Sequence, residues 1–213
     1  MRSALSRILW LLLLFSTLAT QVFAGGTARS AQAGKLSLKN FEILGMRLPD
    51  STVSEVESIL GPAPSKQGDN VEQASACYTS PRSDRTVLEF KYWFESVVRF
   101  RLFTGTLHST NHCAKSKLIS ANLATSSGIK LGLRKDEVIQ LLGPPSKKHQ
   151  NSFTYEVSYD RPPTPEEIKR SKDAYQPVPA SISVYGRIDL RFQQGKVVWV
   201  DVARGYDLEF GSR

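Results

Sequence analysis

"ILGPAPSK" at 59–66 returns almost letter for letter as "LLGPPSKK" at 141–148. Around each copy the apolar residues keep one spacing. Val56, Ile59 and Leu60 are answered by Val138, Leu141 and Leu142, the i, i+3, i+4 stripe of a helix buried along one side. Gly61 and Gly143 stand where a helix wants a left-handed terminal residue, and Pro62 and Pro144 forbid its continuation. The phrase therefore predicts two short helices that stop in the same way. Thr52 and Glu55 have capping-box spacing for the first. The second has Arg134 in place of the hydroxyl and keeps only Glu137, which predicts a weaker cap.

The likeness extends outward. "KLSLKNFEILGMRLPDSTVSEVESILGPAPSK" (35–66) aligns with "KLISANLATSSGIKLGLRKDEVIQLLGPPSK" (117–147). Further on, "LEFKYWFESVVRFRLF" (88–103) lies over "IDLRFQQGKVVWVDVA" (188–203). Each of these alternates, breaks at a turn and alternates again, as a β-hairpin does. Gln194-Gly195 predicts a tight turn in the second, and Glu95-Ser96 a looser one in the first. Leu88, Phe90, Tyr92, Val98, Phe100 and Leu102 form one expected core face; Ile188, Leu190, Phe192, Val198, Val200 and Val202 form the other. Further strands are predicted at 153–159 and near 74–79.

The expected fold class is α+β: two tandem repeats, each a short helix packed on a three- to four-stranded antiparallel sheet. The repeats occupy 35–116 and 117–204. A lead at 25–34 and a tail at 205–213 flank them. A Pro-rich insertion at 160–180, with five prolines and eight charged residues, has no counterpart in the first copy. One helical turn is expected near 165–171, after Pro165.

Composition is that of an ordinary globular chain, 40% hydrophobic and 23% charged. Residues 1–24 differ: Arg2 and Arg7, an apolar run from Ile8 to Phe15, then Val22-Phe23-Ala24. That order describes a secretory signal peptide cleaved near Ala24, with a run too short to span a bilayer comfortably. The expected location is periplasmic or secreted. The formal charge of +8 falls to +6 without Arg2 and Arg7, since 1–24 contains no acid. A protein partner is expected, an anionic membrane surface is a second possibility, and the chain shows no nucleic-acid module. The only cysteines, Cys77 and Cys113, read first as a disulfide in an oxidising compartment. The alternative is a metal site that adds His108 and His112, at a spacing no standard zinc module has.

Catalytic motifs are not found: no Gly-x-Ser-x-Gly, no phosphate-binding loop, no His-Glu-x-x-His. No cofactor and no enzyme activity are expected. A hydrolase site assembled between the repeats is the alternative from another class. The outward hairpin faces are more informative. They carry Glu89, Lys91, Trp93, Arg99 and Arg101 in one copy, and Asp189, Arg191, Trp199, Asp201 and then Arg204 in the other. Tryptophan with arginine is the composition of binding hot spots. The competing reading packs each tryptophan under a loop or against the other repeat.

The units resemble those of β-lactamase-inhibitor-like proteins and of the small lipoprotein of the outer-membrane β-barrel assembly machinery. Gly132, Leu133, Val138 and Gly143 match the helix signature, and Phe192, Gly195 and Val197 the hairpin turn. In the first copy Val56 and Gly61 match, while Pro49-Asp50 replaces the leading glycine. Arg134 replaces the Thr/Ser, and the lipid-anchoring cysteine is absent. The resemblance implies two sheets joined into one curved surface that grips a protein. Trp93, Arg99, Arg101, Arg191 and Trp199 would lie on it. It also implies a role in the envelope, either as a binding module or as an outer-membrane-associated maintenance or assembly factor.

Overall fold

The computed structural model describes residues 36–67, 73–105 and 112–210. The expected signal peptide, the flexible lead and His108 lie outside the described residues. Both helices form where the repeated phrase predicts, α1 at Val53–Leu60 and α2 at Lys135–Leu142. Thr52 Oγ1 accepts from Glu55 N–H at 3.3 Å, and Glu55 Oε2 accepts from Thr52 N–H at 2.9 Å. In α2 the Arg134 N–H donates to Glu137 Oε2 at 2.6 Å. The arginine side chain has no acceptor to return that bond. Gly61 at φ 87° and Gly143 at φ 81° end the helices, their N–H groups bonded to Glu57 O and Ile139 O. The freed glycine carbonyls accept from sheet tyrosines, Tyr78 to Gly61 at 2.9 Å and Tyr155 to Gly143 at 3.2 Å. Only part of the expected stripe is buried. Val56, Leu60, Val138 and Leu142 face the sheet, while Ile59 is 38% exposed. Two turns of helix on a sheet seat one i, i+4 pair, and the i+3 residue lies at the margin.

Ahead of α1, Leu38–Phe41 is a 3-10 helix, followed by a two-stranded sheet of β1 (Glu42–Ile43) and β2 (Met46–Arg47). Residues 117–123 are turns and irregular backbone.

Among the described residues the main sheet has nine strands. They are β3 (Ser65–Gln67), β4 (Gln73–Thr79), β5 (Thr86–Trp93), β6 (Ser96–Thr104), β7 (Ala114–Lys115), β8 (Lys147–His149), β9 (Ser152–Arg161), β10 (Ser181–Gln193) and β11 (Lys196–Glu209). Their order is β3-β4-β5-β6-β11-β10-β9-β8, with β7 parallel to β4, so the sheet is mixed. The join between its halves is the antiparallel pair β6 and β11, from Trp199↔Phe103 to Ala203↔Arg99.

Both hairpins turn over two residues. Phe94 and Glu95 form the first turn, because Trp93 pairs with Ser96; it is as tight as Gln194-Gly195. Phe94 and Gln194 both sit at positive φ, 52° and 51°. Each hairpin then carries a bulge: Tyr92 pairs with Val97 and Lys91 with Arg99, while Phe192 pairs with Val197 and Arg191 with Trp199. The extra residue shifts the alternation by one. Val97 and Val197 are therefore the core residues, 0% and 1% exposed, where period-2 counting pointed to Val98 and Val198.

One apolar cluster fills the space between the inner sheet face and the helices, with Phe90, Phe100, Ile188 and Val202 all fully buried. Burying each such side chain stabilises by roughly 1.5–3 kcal/mol. Insertion residues 165–173 form a full helix, α3 (Pro165–Asp173), with Thr164 and Glu167 as its capping box. β11 runs into the expected tail, and 205–209 pair with 181–185. Among the described residues, no helix is long and apolar enough to cross a membrane.

Candidate functional site

The outward sheet face is a lattice of charges. Arg99 grips Asp201 through two bonds of 2.6 and 2.7 Å, and Arg101 bridges Asp201 and Glu89 at 3.2 Å each. On β10 Arg187 holds Asp189 at 2.6 and 3.1 Å, and Thr154 adds a bond at 2.6 Å. Burial pushes the Asp189 carboxyl up, but the bonds from Arg187 and Thr154 outweigh it and keep it below the ordinary value. Lys147 closes the row on Glu156 at 3.2 Å. Four cations and four anions neutralise one another from β5 to β8. The expected binding arginines Arg99 and Arg101 are occupied within the fold.

Trp199 is 7% exposed, not a surface anchor. It stacks on Phe103 with ring centroids 4.7 Å apart, and with Val87 it forms a second small cluster on the outward face. Cys77 and Cys113 pack against that cluster and are bonded to each other, S–S 2.07 Å, so neither sulfur is free to ligate a metal. Arg191 and Arg101 lie over the Trp199 ring, 5.2 and 5.7 Å from its centroid. Arg204, expected on the outward face, has the opposite parity and points to the core. It is 6% exposed and donates to Leu48 O at 2.6 Å.

Trp93 keeps its expected exposure, at 42%. Phe94 meets it edge-on with centroids 6.1 Å apart and is itself 65% exposed. Tyr185, from β10, is also exposed; a Cβ on Gly205 would collide with its ring, so the missing side chain lets the tyrosine lie across β11. Trp93, Val98 and Tyr185 line two adjoining clefts of about 310 and 760 Å³. The second continues past Asp50, Arg170 and Tyr206 into a third, about 810 Å³, between α3 and the inner face of β9, β10 and β11. Lys91 lines the first cleft and Arg170 the passage between the second and third; neither has an ion-pair partner among the described residues.

The inner end is built around Tyr206. Its hydroxyl donates to Asp50 at 2.9 Å, and the Arg161 and Arg204 guanidinium groups sit 5.5 and 5.3 Å from its ring centroid. Burial raises the phenol above its ordinary pKa. Arg161 is held by Glu167 through two bonds of 2.7 Å, and those bonds lower the carboxyl to about 2. The pair ties α3 to the end of β9.

Of the five residues picked from sequence, the structure places Trp93 and Arg99 on the wall of the first cleft, ties Arg99 and Arg101 to acids, sets Arg191 over the Trp199 ring, and buries Trp199. Phe94, Tyr185, Tyr206 and Arg170 were not singled out, and Val98 was read as a core residue. The turn position of Phe94 was a usable signal, because an aromatic residue in a two-residue turn has no sheet face to hide on. Comparison with family models, curated proteins and solved structures returns no match.

Proposed function

We propose that the chain is an exported, non-catalytic protein-binding module of a bacterial envelope that grips its partner in the Trp93–Tyr185 trough. The observation that carries the reading is the grouping of three exposed aromatic side chains, Trp93, Phe94 and Tyr185, beside a face on which Arg99, Arg101, Arg187 and Lys147 are already held by acids. Exposed apolar patches rimmed by polar residues mark interaction sites, and Trp and Tyr dominate hot spots. Export is supported by the pattern of 1–24 and by a disulfide, which persists in oxidising compartments.

We further read the fold as two tandem α+β units. Matching helix ends, matching tyrosine-to-glycine bonds, bulges at the same hairpin position and a strand order that runs alike from either edge support this.

The test is site-resolved. A photo-crosslinking residue is placed at Phe94, at Tyr185 and, as a control, at the exposed Glu57 on α1, in chains produced in envelope-bearing cells. Discrete adducts from 94 and 185 that are absent at 57, and that Trp93→Ala diminishes, support the reading. The same adducts from all three positions, or none from any, refute it.

A further inference from the structure

We infer that β11 beyond Ala203 is a docking edge for an extended segment of the partner, which joins the sheet as an added strand; this rests on the trough reading above. β11 pairs with β6 only from Trp199 to Ala203. Over 204–209 it remains paired with β10, but its other side has no strand partner among the described residues.

The cause lies in the first hairpin. The bulge at Val98 turns β6 aside, and its backbone bonds go elsewhere: Val97 N–H to Ser51 O, and Val53 N–H to Glu95 O, both at 2.9 Å. The chain at 51–53 takes the place beside β6 that β11 would otherwise hold. Alternate residues of 204–209 therefore direct N–H and C=O groups into the cleft.

Natural edges are usually blunted by lysine, proline, a bulge or a covering loop. Arg204 is an inward-pointing charge at the start of this edge, but 205–210 contain neither Lys nor Pro, and Leu208 and Phe210 are 53% and 52% exposed. The other edge of the same ribbon, on β9, ends in Arg161 followed by Pro162-Pro163.

Side-chain chemistry narrows the occupant. Tyr206 and Leu208 face the inner side and line the cleft under α3. Asp207 and Glu209 face the outer side, where Ser183 also bonds Asp160 and Glu209. Cross-strand neighbours favour apolar against apolar and opposite charges against each other. The segment that fits alternates apolar residues with lysine, arginine or hydroxyl residues. Main-chain bonds supply affinity in this mode and alternate side-chain pockets supply selectivity.

The experiment selects binders from a random seven-residue display library on the full-length chain recovered from expressing cells. Amide exchange on the chain follows, with and without the synthetic peptide of the enriched sequence. The expected result is an alternating apolar–basic motif and slowed exchange at 204–209. Asp207→Lys/Glu209→Lys should weaken binding by about tenfold, and backbone N-methylation of alternate peptide residues should abolish it. No enriched motif, or binding without protection at 204–209, overturns the inference. Concentration-dependent protection with dimers in sedimentation also overturns it, because the occupant is then a second copy. Crosslinks from 94 and 185 that persist without edge protection leave the trough reading standing and remove this one; loss of both removes both.

Discussion

Replacing Trp199 by alanine separates a core tryptophan from a surface one. Its ring is 7% exposed, stacked on Phe103 and packed beside the Cys77–Cys113 bridge, so its removal opens a cavity that Phe103 and Val87 cannot both fill. Large-to-small changes of this kind cost about 3–5 kcal/mol. In a chain of this size each kcal/mol shifts Tm by roughly 2–4 °C, so a loss of about 6–20 °C is expected. Trp93→Ala removes a ring that is 42% exposed and should cost about 1 kcal/mol or less. Thermal unfolding followed by far-ultraviolet circular dichroism measures both variants without relying on the deleted fluorophore. A Trp199→Ala midpoint that falls no further than that of Trp93→Ala would refute the assignment of Trp199 to a buried cluster.

Tyr92 and Tyr155 make a second contrast. Among the described residues the buried Tyr92 hydroxyl has no hydrogen-bond partner, whereas the Tyr155 hydroxyl donates to Gly143 O. Tyr92→Phe should leave stability unchanged or raise it, and Tyr155→Phe should cost about 0.5–1.5 kcal/mol in denaturant titrations. Reduction of the disulfide, or Cys77→Ala/Cys113→Ala, opens a closure of 36 residues and should lower stability by about 4 kcal/mol; a smaller loss under non-reducing conditions would mean the unfolded loop is already restrained. The Glu167 carboxyl, at about 2 when folded, lies below its unfolded value. Its contribution is therefore complete above the unfolded pKa of about 4.3 and is lost as pH falls toward 2. Limited proteolysis at α3 should accelerate across that window, and Glu167→Gln should cleave quickly at every pH; an unchanged pH profile in that variant would point to another group.

Local signals were legible in the sequence because they depend on neighbours a few residues away. Gly61-Pro62 and Gly143-Pro144 stop two helices through backbone conformation alone. Alternation placed the hairpins, and two cysteines allow one intrachain pairing. Period-2 counting failed at Val98 and Val198 because a bulge adds a residue without leaving a mark in composition.

The site was less legible. Trp93, beside a turn, and Trp199, within a strand, share the outward parity of their hairpins, and parity does not separate exposed from buried. What separates them is the pairing of β11 with β6, which brings Phe103 beside Trp199 and Asp201 between Arg99 and Arg101, residues about a hundred positions apart. The bulge in β6 and the segment at 51–53 leave Trp93 exposed and β11 beyond Ala203 without a second strand partner among the described residues. Sequence by itself determined where helices stop, where the second hairpin turns and which sulfurs join, since each is a short-range or countable constraint; the first turn falls at Phe94-Glu95, one residue before the Glu95-Ser96 read from sequence. Tertiary structure alone decided which charges are free and which edge is open, because those depend on strands meeting across the whole chain.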